Sequence, residues 1–121
     1  MQVWLPIIIY GTTVSLGLVL GWYFLSERRP PKAVQAIHFL TGFGGLEVVM
    51  LVTRMSRGDA ALTQNSTIAL VLLGFAVVSG LFAGIMAKPR PEIVGTALAA
   101  HAFIGGSAFI ALAVWTLNVL P

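Results

Sequence analysis

Two side chains in this 121-residue sequence are suited to metal ligation or proton exchange near neutral pH: His38 and His101, the only histidines. Each opens the same short pattern. The stretches "AIHFLTGFGG" (36–45) and "AAHAFIGG" (99–106) both place a glycine four residues after the imidazole, Gly42 and Gly105. On an α-helix the positions three, four and seven residues further on share a face. His38 therefore looks along Thr41, Gly42 and Gly45, and His101 along Ile104, Gly105 and Ala108. A shelf of small residues beside an imidazole suits axial ligation of a metal carried by a flat ring. A single histidine in an apolar helix is more often a hydrogen-bonded link between helices.

The elements that must position these residues are membrane helices. With 58% hydrophobic and 9% charged residues and a mean hydropathy of +0.95, the chain is far more apolar than a soluble domain of its size. Four apolar runs are long enough to cross a bilayer: 3–25, 33–55, 65–87 and 93–120. Two short connections carry prolines that end one helix and hold the next start extended, Pro30 and Pro31 in "SERRPPK" and Pro89 and Pro91 in "KPRPE". The first run has no basic region before it and no convincing cleavage site, so it is expected to remain as a membrane helix. The expectation is an all-α integral membrane protein, one transmembrane domain over 1–121, with four helices in an up-down bundle.

Basic residues set the expected orientation. Arg28, Arg29, Lys32, Lys88 and Arg90 lie in the two proline-containing turns, against Arg54 and Arg57 on the other side. This asymmetry predicts cytoplasmic turns and external termini. No part of the chain offers a basic domain for nucleic acid.

An internal repeat ties the two histidines together. Sliding the sequence by 63 residues aligns Gly11 with Gly74, Gly17 with Gly80, Gly21 with Gly84, His38 with His101 and Gly42 with Gly105. The chain reads as a duplicated helical hairpin, 1–58 and 64–121. The second and fourth spans then run the same way and hold the histidines at one depth. In an up-down bundle those spans are diagonal partners, with axes roughly 11–14 Å apart, which suits two inward imidazoles sharing one metal. Gly17, Gly21, Gly80 and Gly84 fall near the histidine depth on the other two spans, so the pocket is relieved on four sides.

On His38, His101, Gly42 and Gly105 the arrangement resembles the membrane cytochrome b class, in which two helix-borne histidines clamp one haem and nearby glycines make room for it. The resemblance is to a general class. It implies one bis-histidine haem b, with His38 and His101 as iron ligands and Gly42, Gly45, Gly105, Gly17 and Gly80 around the ring. His38 lies six residues past Lys32, about 9 Å along a helix, so Arg28, Arg29 and Arg90 are expected within reach of the propionates. The resemblance also implies an electron-transfer subunit of a larger quinone-linked respiratory or photosynthetic complex, in a bacterial inner or photosynthetic membrane. Its partners would be lipid, other redox subunits and a quinone. With no cysteine in the chain, thiolate ligation, c-type attachment and cysteine-held clusters are excluded.

Two further readings stay open: His38 and His101 could each ligate a separate chlorophyll-type pigment, or the chain could be a cofactor-free accessory or assembly subunit packed through its glycines. No nucleophile–base pair, phosphate loop or carboxylate cluster supports independent catalysis. Glu47 lies two and a half turns from His38, on the opposite face, and an intramembrane carboxyl needs a partner. It is read as a proton-handling or quinone contact or as a hydrogen bond to a neighbouring subunit. Trp4, Trp22, Tyr23 and Trp115 are expected in the aromatic belts near the helix ends.

Overall fold

The computed structural model describes residues 4–55, 58 and 60–119. Four helices account for nearly all of them: α1 (Trp4–Leu25), α2 (Lys32–Met55), α3 (Ala60–Met86) and α4 (Pro91–Val119), with no strand among the described residues. All four are long and apolar enough to cross a membrane. Arg57 and the outermost residues of the first and fourth expected spans, Val3 and Leu120, lie outside the described residues.

Local chemistry sets the helix ends. Pro6 stands in the first turn of α1, where its missing N–H costs no helical bond, and Pro91 is the first residue of α4. At the end of α1, Glu27 N–H donates to Phe24 O and Arg28 N–H to Tyr23 O. These are the paired bonds of a Schellman stop, and Glu27 takes its left-handed position with φ 54°. The largest departure from the expected spans is at α3, which begins at Ala60 instead of 65. Hydropathy marks the apolar crossing, whereas the helix continues through polar Gln64 and Asn65 toward the membrane surface.

Several hydroxyls inside the helices return to their own backbone. Thr12, Thr13, Ser15, Thr41 and Thr116 each donate to the carbonyl four residues back. This is how a polar side chain is accommodated where no water reaches.

The helices form a four-helix bundle in the order α1, α2, α3, α4 around its circumference. α1 packs on α2 and α4, and α3 on α4 and α2, while the diagonal pairs make no close backbone contact. The tightest pairing is within each hairpin. Burial repeats with the 63-residue offset. The buried residues of the first hairpin are Pro6, Tyr10, Thr13, Gly45, Val49 and Val52. Their counterparts Ala69, Leu73, Ala76, Ala108, Leu112 and Trp115 are all buried too. Trp115 therefore departs from the aromatic-belt expectation: it occupies an inward position and fills volume at the terminal end of the core, while Trp4 and Trp22 remain exposed.

The core is confined to one end. Tyr10, Val49, Val52, Ala69, Leu73, Ala108, Leu112 and Trp115 form one cluster on the side of the chain termini. Beyond the histidines, toward the two short turns, only Ala83 and Val94 are buried. The two hairpins close tightly below the histidines and loosely above them.

Candidate functional site

His38 belongs to α2, yet α1 holds its ring. Its Nδ1 lies 2.9 Å from the carbonyl oxygen of Thr13. A carbonyl oxygen only accepts, so Nδ1–H donates, and in the neutral imidazole Nε2 keeps its lone pair. The second hairpin repeats the contact: His101 Nδ1–H donates to Ala76 O at 2.9 Å. Donor and acceptor are 25 residues apart in both cases. The same 63-residue offset relates Thr13 to Ala76 and His38 to His101. One difference separates the two. Ser79, which donates to Ala76 O, sits 3.3 Å from His101 Nδ1, whereas the corresponding position in the first hairpin is Leu16.

Two glycines make these contacts sterically feasible. A helical carbonyl lies beside the residue four positions further on, where it accepts the chain's own hydrogen bond. For Thr13 and Ala76 those residues are Gly17 and Gly80. A Cβ at Gly17 would stand 3.1 Å from His38 Cε1, and one at Gly80 would stand 2.8 Å from His101 Cε1. Gly17 and Gly80, expected around a bound ring, thus lie directly against the imidazoles and admit them to the backbone.

The two rings meet across the bundle. Their centres are 6.0 Å apart and their planes 85° apart. A metal ligated at about 2.0–2.1 Å by an imidazole nitrogen, itself about 1.1 Å from its ring centre, places two opposed ring centres roughly 6.3 Å apart. The observed separation of ring centres is close to that value. It does not fit two stacked macrocycles, each with its own metal, which need about 10 Å between the ring centres. The donor set also bears on the kind of metal centre. Among the described residues no group of three histidines, cysteines, aspartates or glutamates comes together. Two histidines alone do not make an all-protein metal centre; each has the anchored Nδ1–H that orients a ligating imidazole.

The remaining expected site residues fall in three places. Gly42, Gly45 and Gly105 lie in the hairpin seams: a Cβ at Gly42 would meet the Thr13 methyl at 3.6 Å, and one at Gly105 would meet Ala76 Cβ at 4.0 Å. At Gly45 a Cβ would stand 2.9 Å from Ile9 Cγ2 and 3.0 Å from Tyr10 Cε2, so bare backbone is needed there to receive α1. Tyr10 uses the closeness to donate to Gly42 O at 3.0 Å. Gly21 and Gly84, one turn beyond Gly17 and Gly80, face open space, since a Cβ would meet nothing within 4 Å. Arg28, Arg29 and Arg90 are exposed at the turn end of the bundle. Arg28 lies over the Trp22 ring at 5.7 Å, and Arg90 is paired with Glu92. Glu47 is exposed on the outside of the bundle, away from the imidazoles.

The backbone anchors are not legible in the sequence, because a carbonyl acceptor leaves no residue-type signature. Their one trace is the glycine four residues after each acceptor. Comparison with protein-family models, with characterised proteins and with solved structures returns no match.

Proposed function

We propose that this membrane protein binds one haem b between His38 and His101 and serves as an electron-transfer subunit of a quinone-linked redox complex. The observation that carries the reading is the pair of imidazoles from two diagonal helices with centres 6.0 Å and planes 85° apart. Each is pinned through Nδ1 to a neighbouring helix, so that each Nε2 has a free lone pair. Haem b supplies a one-electron couple when bound. The chain's contribution is to fix both ligands before binding, so that neither has to reorganise when the charge on the metal changes. The packed end below the histidines supports exclusion of water from that side, and the sparse burial above them supports placing a ring toward the end that carries Arg28, Arg29 and Arg90.

The basic residues of those two turns support a cytoplasmic placement of that end, with the termini outside. The proposal is tested by the optical spectrum of the protein purified from membranes in mild detergent. Sharp reduced b-type bands at one haem per chain support it. Pigment bands at two per chain support the pigment reading, and a colourless protein leaves the histidines as links between helices.

A further inference from the structure

Each buried residue of the first hairpin has a buried counterpart in the second, but the two hairpins differ in chemistry along one outward stripe. In α4 the outward positions Phe103, Ile110, Val114 and Leu117 are apolar and exposed, as lipid-facing residues are. The corresponding positions in α2 are Leu40, Glu47, Leu51 and Arg54, all exposed. Ser107 of α4 is replaced in α2 by Gly44, where a Cβ would meet nothing within 4 Å. Among the described acidic residues, Glu27 and Glu92 lie at helix ends beside the two short turns, whereas Glu47 lies in the middle of α2. A carboxyl facing hydrocarbon is costly, and such groups turn toward protein. The rest of this bundle does not cover it.

The stripe has the form of a helix-pairing seam. Ala33, Ile37, Leu40, Gly44, Glu47, Leu51 and Arg54 recur at alternating spacings of four and three, the 3.5-residue period of a left-handed coiled pair. Glu47, Met50, Leu51 and Arg54 line an open surface groove of about 220 Å³. Positions i, i+3, i+4 and i+7 are the four corners of the hole that accepts one side chain from a facing helix. Gly44 removes the side chain that would hold such a helix away.

We propose that a second copy of this chain occupies this face, two α2 helices pairing about a twofold axis along the membrane normal with their Glu47 carboxyls hydrogen-bonded to each other. Copies inserted in the same orientation bring residue 47 to residue 47 at one depth, and a carboxylic acid is its own complement because it donates and accepts. Arg54, in the last turn of α2, reaches the membrane surface.

The chain contains no cysteine, so single cysteines report directly. Leu51→Cys and Val114→Cys occupy equivalent positions of the repeat and are oxidised in native membranes. The expected result is a disulfide-linked species of twice the chain mass from Leu51→Cys and none from Val114→Cys. Adding Glu47→Gln to Leu51→Cys should preserve the dimer, since the amide also donates and accepts. Adding Glu47→Leu, a change that suits a membrane helix, should lower the yield by about tenfold. Equal crosslinking at both positions, no dimer at residue 51, a product of another mass, or a yield unaffected by Glu47→Leu would overturn the proposal.

Discussion

His38 and His101 have ring centres 6.0 Å apart, although the helices that carry them, α2 and α4, make no close backbone contact. The rings reach each other because each is turned off its own helix by a bond to the next, His38 to Thr13 O and His101 to Ala76 O. The diagonal of the bundle is therefore spanned by side chains whose orientation is set by backbone.

The anchoring geometry separates two sets of glycines. Gly80→Ala would put a Cβ 2.8 Å from His101 Cε1, and Gly17→Ala would put one 3.1 Å from His38 Cε1. Either ring can swing away only by giving up its Nδ1 bond. Each variant should still fold at a cost of about 1 kcal/mol, while losing most of its haem, with Gly80→Ala the more severe. Gly42→Ala and Gly105→Ala, with contacts of 3.6 and 4.0 Å, should keep it. Haem-to-protein ratios of the four purified variants decide the matter: equal retention by all four would mean that the anchors do not set ligand position.

Glu27 occupies the left-handed position of the stop at the end of α1 with φ 54°, where glycine avoids a steric cost. Glu27→Gly should stabilise the protein by about 0.5–1 kcal/mol, read as a higher thermal midpoint in detergent. An unchanged or lower midpoint would show that the Glu27 side chain contributes more than the strain costs.

Orientation is tested with cysteines at Arg29, in the α1–α2 turn, and at Gln64, in the first turns of α3. An impermeant thiol reagent applied to intact cells should label Gln64→Cys and spare Arg29→Cys. The reverse pattern would place the basic turns outside, against the charge asymmetry.

The legible part of the fold was the part that hydropathy encodes. Four apolar runs, paired across two proline turns, give α1, α2 and α4 within two residues of their observed ends, because membrane thickness fixes how much apolar chain a span needs. The start of α3 was missed because Ala60 to Asn65 continues a helix on backbone propensity after the apolar signal has ended. In the candidate site, the repeat made the histidine pair legible. The role of the small residues was less so. Four-residue spacing places Gly42 on the face of His38, but spacing does not say which neighbouring helix that face meets. The structure puts Thr13 there, and it gives the contacts beside the ring to Gly17. The exposed Glu47 was legible as opposite to His38, since its angular position on α2 follows from sequence alone.

The central claim is that both imidazoles ligate one haem, and the most direct test is the haem-to-protein ratio and optical spectrum of His38→Ala and His101→Ala beside the wild type. One haem per chain with a low-spin, six-coordinate spectrum is predicted for the wild type. Because both anchors tie Nδ1 to a backbone carbonyl of the neighbouring helix at 2.9 Å, both variants should fail alike, with no haem or with a five-coordinate high-spin form that added imidazole converts back. A six-coordinate haem surviving unchanged in either variant, or a wild type that carries none, would contradict the account.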